Sequence, residues 1–298
     1  MKAPRIMTFC FTRIVLLAML AGLVSCGGGG GGNSTTPPPT GGGHPTVTNL
    51  SASNLSYGRT MVVSVSGQSL DQGLVMSTDN VCSNVTELPG GSEAAKTFTC
   101  RVGSIGEYNV TLRDSAGKFL ASVRVNVPLP QVTFTTTKGT IVIELNLRLA
   151  PLSVDNFLRY VNDSPTFYLN VLFHRVEKDF VIQAGGYSRG LVAKNAVHEP
   201  IALESQNGLS NLRGTIGMAR EFQNSSTATS QFYFNLKDNP ELDYKAPDQP
   251  GYAVFGKIVT GLDVIDSIGI VPVRFDLTAG LSNVPVTEVV ITASSQTK

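Results

Sequence analysis

Histidine and cysteine are scarce in this 298-residue chain, and much of the chemistry that depends on them is excluded at the outset. The three histidines stand apart at 44, 174 and 198, with no HExxH and no paired Cys/His spacing, so no metal site is expected. The four cysteines form no CxxC, which removes the support for redox catalysis. Charge is sparse and balanced. Lys+Arg 23 against Asp+Glu 22 gives a net charge of +1, and this offers no basic field for nucleic acid. No GxSxG elbow marks a serine hydrolase. The glycine run at 27–32 lacks the Gly-Lys-Ser/Thr ending of a phosphate loop. Long apolar runs are missing as well, since Ile14 to Leu20 is too short to span a bilayer comfortably.

What is present begins with an export leader over 1–25. Lys2, Arg5 and Arg13 supply its positive region and Ile14 to Leu20 its apolar one. The leader ends in Leu23-Val24-Ser25-Cys26, which resembles the lipobox of bacterial lipoproteins. That resemblance implies a lipid on Cys26 and anchorage facing the periplasm. Gly27 in place of aspartate further implies the outer membrane. Residues 26–45 form a Gly/Pro-rich tether too polar to pack, with a coil span of roughly 25 Å. Cys82 and Cys100 remain, and in an oxidising compartment they are expected to pair, closing a short loop worth about 3 kcal/mol.

From 46 to 128 the pattern is short strands with turn signals. Met61, Val63 and Val65 alternate with smaller or polar residues, as do Tyr108, Val110 and Leu112, then Phe119, Ala121, Val123, Val125 and Val127. Asp114 to Gly117 makes the last turn. The meander resembles an immunoglobulin-like β-sandwich, read as a spacer or recruiting module without a catalytic constellation. Pro128-Leu129-Pro130 marks a boundary. Beyond it, strands are expected over Val132 to Thr136 and Thr140 to Leu145. A helix follows on Val154, Phe157, Leu158 and Val161 behind Pro151 and Ser153, and a second over Leu262 to Ile268 with Thr260 as cap. A last strand is expected over Val284 to Ile291. The fold class is mainly β, a sandwich followed by a closed barrel with two helices.

The run from Phe173-His174-Arg175 to Gly185-Gly186 sets a cation, an amide and bulky apolar groups at mixed spacings on one strand pattern, which a half-buried strand would not do. Asn156-Phe157, Tyr168, the stretch from Arg213 to Arg220, the stretch from Thr229 to Asn235 and the stretch from Gly251 to Lys257 stand around it in order. With these blocks, residues 131–295 resemble a cyclophilin-type peptidyl-prolyl cis-trans isomerase of the bacterial periplasmic branch.

The resemblance implies an enzyme without cofactor or metal, acting on proline-containing polypeptides and assisting the folding of exported proteins, and a monomer is expected. Arg175, Phe180 and Gln183 take the catalytic positions. Val181, Ala219, Arg220, Gln231, Tyr233, Leu242 and Tyr252 take the substrate-binding ones, with Phe255 behind the pocket. Gln183 and Gln231 would orient Arg175, and Ala219 and Arg220 would offer backbone groups to the substrate. Val181 stands for the common methionine and Tyr233 for phenylalanine, a ring whose hydroxyl needs a partner. Glu241 stands where relatives carry an aromatic that contacts cyclosporin, so weak drug binding is expected. His174 is expected to be structural. The alternative in another class is a non-catalytic peptide-binding module or holdase.

Overall fold

The computed structural model describes residues 43–222 and 224–298; the leader, Cys26 and nearly all of the tether lie outside them. Seven strands come first: β1 (Thr46–Ser53), β2 (Thr60–Gln68), β3 (Leu74–Ser77), β4 (Cys82–Glu87), β5 (Ala95–Val102), β6 (Gly106–Asp114) and β7 (Phe119–Val127). They form two antiparallel sheets, ordered β1-β2-β5-β4 and β3-β6-β7. Period-two alternation turns Met61, Val63 and Val65 of β2 inward, where they meet Val110 and Leu112 of β6 and Val125 and Val127 of β7 in one core. Phe119 departs from the expected alternation and is 54% exposed. A register shift between Leu112 and Arg113 intervenes, so Phe119 pairs beyond the bulge. The carboxylate of Asp114 closes the β6–β7 turn by accepting from the N–H groups of Ala116 and Lys118. Cys82 and Cys100 are bonded to each other and tie β4 to its neighbour β5 within one sheet.

Eleven more strands follow: β8 (Gln131–Thr136), β9 (Gly139–Leu145), β10 (Val171–Glu177), β11 (Val181–Ser188), β12 (Val192–Ala193), β13 (Thr215–Met218), β14 (Phe232–Asn235), β15 (Val254–Thr260), β16 (Val273–Asp276), β17 (Leu281–Pro285) and β18 (Val290–Gln296). Eight of them run β10-β18-β8-β9-β15-β13-β14-β11, and β11 pairs back onto β10 to close a barrel. Closure leaves these eight without a free edge. Phe134 of β8 stacks on Phe232 of β14 inside, with centroids 5.4 Å apart, and Phe157 meets Phe232 edge-on at 5.6 Å.

Phe157 belongs to α1 (Pro151–Asn162), whose buried stripe includes Val154, Leu158 and Val161. Its first turn has no local side-chain cap. Instead Glu204, 51 residues on from Ser153, accepts from Leu152 N–H at 2.9 Å and from Ser153 N–H and Oγ at 2.7 Å. The second helix, α2, spans Leu262–Gly269, and its N-terminal flank is Gly261 at φ 95 rather than Thr260, which is the last residue of β15. The strand expected over Val284 to Ile291 is also divided. The β16–β17 hairpin ends at Pro285, with one further hydrogen bond from Val286 N–H to the Pro272 carbonyl at 2.8 Å, and β18 begins only at Val290.

The sandwich meets the barrel through polar contacts on α1 and β18. Tyr57 donates to Asp155 at 2.7 Å, Arg59 Nη2 donates to Asn162 at 2.6 Å, and Gln296 Nε2 donates to the Tyr57 carbonyl at 2.9 Å.

Candidate active site

β10 breaks its own alternation, and that break creates the site. Val171, Leu172, Phe173 and His174 are all buried, and register shifts flank Phe173 in the pairing with β11. After the second shift Arg175 stands partly exposed opposite Gln183. Gln183 pairs with Tyr233 of β14, and Tyr233 with Gly217 of β13. One cross-strand row therefore presents a cation, an amide and a ring side by side. A Cβ at Gly217 would lie 2.3 Å from the Tyr233 ring, so a residue without a side chain is what lets the ring cross that strand.

The β10–β11 turn adds Phe180 and Val181. Asp179 takes the left-handed conformation at φ 57, and Phe180 N–H donates to the Glu177 carbonyl at 3.1 Å. Asn239 Nδ2 fixes the turn from outside by donating to the Phe180 carbonyl at 3.0 Å. The opposite wall comes from loops. Arg220 Nε donates to the Gly251 carbonyl at 2.9 Å and its guanidinium stacks 4.6 Å from the Tyr252 ring centroid, which locks the loop after β13 to the loop before β15. Leu242 is set by its N–H donating to the Asn239 carbonyl at 3.0 Å and by its carbonyl accepting from Tyr252 N–H at 2.9 Å.

Together Arg175, Phe180, Val181, Gln183, Ala219, Arg220, Tyr233, Leu242 and Tyr252 line one concavity of about 210 Å³. Of the residues expected at the site, only Gln231 stands outside this lining. It lies behind Gln183, accepting from Gln183 Nε2 at 2.9 Å, in space that a Cβ at Gly186 would invade at 2.7 Å. Gln183 Oε1 in turn accepts from Arg175 Nη1 at 3.4 Å, so Gln231 reaches the arginine through Gln183.

Other expected residues take the following places. The N–H of Ala219 is committed to the Gln231 carbonyl at 3.0 Å, so that group is not available to a ligand. Phe255 is fully buried in the barrel core against Phe157, with centroids 5.3 Å apart, and does not line the concavity. Glu241 is exposed and lines a neighbouring depression, together with Arg220 and Tyr252. His174 is buried outside the concavity, and desolvation lowers its pKa to about 4, so it is neutral at pH 7.

Sequence reasoning missed three supports: Glu177, Asn239 and Asn211. The hydroxyl of Tyr233 donates to Asn211 Oδ1 at 2.6 Å, and burial pushes that phenol well above its usual range. Asn211 Nδ2 and N–H both donate to Asp243, at 2.8 and 2.7 Å, which couples the ring to the loop carrying Leu242. The signal was the hydroxyl itself, since a buried phenol demands an acceptor.

The apolar side chains of Phe180, Val181, Tyr233 and Leu242 beside the Arg175 guanidinium suit capture of a small ring and stabilisation of a nearby lone pair. A family model for cyclophilin-type peptidyl-prolyl cis-trans isomerases matches residues 131–295. The chain belongs to the cyclophilin family. Its cyclophilin region is 45% identical over 160 residues to peptidyl-prolyl cis-trans isomerase A of Dickeya dadantii, a match covering 54% of this chain and 80% of the relative. It is also 45% identical over 139 residues to peptidyl-prolyl cis-trans isomerase B of Escherichia coli, covering 46% of this chain and 82% of that one. A solved cyclophilin-type isomerase of Cryptosporidium parvum aligns with a TM-score of 0.46 at 24% identity, over 56% of this chain and 99% of its own. The cyclophilin barrel is a peptidyl-prolyl cis-trans isomerase.

Proposed function

We propose that the concavity beside Arg175 holds the substrate proline and that this isomerase assists folding of exported proteins from a lipid anchor in the cell envelope. The observation that carries the site reading is the cross-strand row of Arg175, Gln183 and Tyr233 around that concavity. Rotation about an X-Pro bond must break amide resonance, a barrier of roughly 18 to 20 kcal/mol. No covalent bond to the enzyme is needed, only preference for the twisted peptide over both planar forms. Phe180, Val181, Tyr233 and Leu242 grip the prolyl ring. Arg175, always charged and forked, donates toward the prolyl nitrogen and the adjoining carbonyl as the lone pair localises. A charge-assisted hydrogen bond contributes only about 1.5 to 3 kcal/mol in ordinary settings, so exclusion of water by the apolar wall strengthens it.

Arg175→Ala is expected to lower kcat/KM for a short prolyl peptide by about 100-fold, the scale for one preorganised donor, with unchanged circular dichroism. Near-normal exchange in the folded variant sinks the assignment. Suppression of aggregation that survives in the variant would favour the holdase reading.

The leader and the Leu23 to Cys26 pattern support the anchor and a periplasmic, outer-membrane location. The two facing sheets support an immunoglobulin-like spacer ahead of the barrel.

A further inference from the structure

β10 ends on a carboxylate that the twisting of a prolyl bond does not itself require. Glu177 lies two positions beyond Arg175, and Arg175 Nη2 donates to its Oε2 at 2.5 Å. Two other groups restrain the guanidinium. The Gln183 contact at 3.4 Å is at the long limit for a hydrogen bond, and the Phe180 ring, 5.8 Å from the guanidinium carbon, is not directional. The ion pair is therefore the tightest restraint on the fork. Its side chains are 38% and 40% exposed, so salt reaches it.

We propose that Glu177 is a positioning residue for the isomerisation, holding one arm of the Arg175 fork so that its remaining donors face the concavity. The inference rests on the role given to Arg175. A free arginine side chain samples many rotamers, and tethering one nitrogen removes those that point to solvent. The same carboxylate offsets part of the cation's field. In an exposed pair at low salt the offset to the field is small while the 2.5 Å contact still holds the fork, so positioning prevails until high salt screens the pair and releases it. An exposed ion pair changes populations only modestly, and about threefold in rate is the expected scale. The loss falls on kcat, because the bond from arginine tightens as the peptide twists.

The test uses the full chain and an uncharged prolyl peptide. Glu177→Gln should lower kcat about threefold with little change in KM at about 10 mM salt. At about 1 M salt, where the screening length is about 3 Å, the wild type should fall to the level of the variant. Nitrogen NMR should show slowed guanidinium rotation of Arg175 in the wild type and free rotation in Glu177→Gln. In an Arg175→Ala background, Glu177→Gln should change nothing further. An equal loss in that background, a loss indifferent to salt, or a rise in activity overturns the proposal. If Arg175→Ala alone leaves exchange intact, the role of the arginine has failed and the anchoring role of Glu177 falls with it.

Discussion

Tyr233 shows how one atom changes what a wall must supply. Its hydroxyl is matched by Asn211, whose Oδ1 also accepts from Asn235 Nδ2 at 3.2 Å. Tyr233→Phe therefore leaves Asn211 partnered, and the expected cost is about 1 kcal/mol in urea unfolding, with peptide exchange within about twofold. Asn211→Ala strands the buried phenol and removes the side-chain hydrogen bond to Asp243 while the backbone N–H keeps its own, so about 3 kcal/mol and a measurable loss of activity are expected. His174 gives a pH signature. It titrates near 6.5 unfolded and at about 4 in the fold, so the unfolded state binds the extra proton between these values. Its contribution to stability is complete above about pH 6.5 and is lost as pH falls toward 4, reaching about 2 kcal/mol at pH 5. Urea unfolding of His174→Gln should show a flatter slope over that range. At this scale Arg175 and Gln183 were legible because they stand in a motif. Asn211 was not, because nothing near it in sequence marks an asparagine that will reach a ring 22 residues away.

Elements were legible where burial has a period. β2 reads as a strand because alternate residues face a core, and α1 reads as a helix because Val154, Phe157, Leu158 and Val161 share one side. The β16–β17 hairpin escaped notice because Val273, Arg274 and Phe275 are all exposed, leaving no alternation to detect. The start of α1 was expected from Pro151 and Ser153, yet the group that satisfies its free N–H donors comes from Glu204. A carboxylate there bonds two amides and a hydroxyl and faces the positive end of the helix. Glu204→Ala should cost about 2 kcal/mol in chemical denaturation, and Glu204→Gln about half as much.

At the scale of the whole molecule, residues 42–298 form one compact unit in which sandwich and barrel meet through Tyr57, Arg59 and Gln296. The break at Pro128-Leu129-Pro130 was legible, whereas this polar contact was not, because partners 98 and 103 residues apart leave no local pattern. If Cys26 carries lipid, Cys26→Ser should abolish fatty-acid labelling and release the whole body from membrane fractions; a normally processed, labelled variant would refute the anchor. Among the described residues no helix is long and apolar enough to cross a membrane.

The position of β18 sets an order of events during synthesis. The sandwich has its last strand once Val127 is made, but the barrel's first strand, β8, waits for β18, with Val132 paired to Gln296. Until then β8 and β10 each present an open edge, and a nascent chain halted before Val290 is an aggregation hazard rather than a partly active enzyme. Such long-range pairing also makes for slow closure. The isomerase barrel thus closes only when its own most distant strands have met.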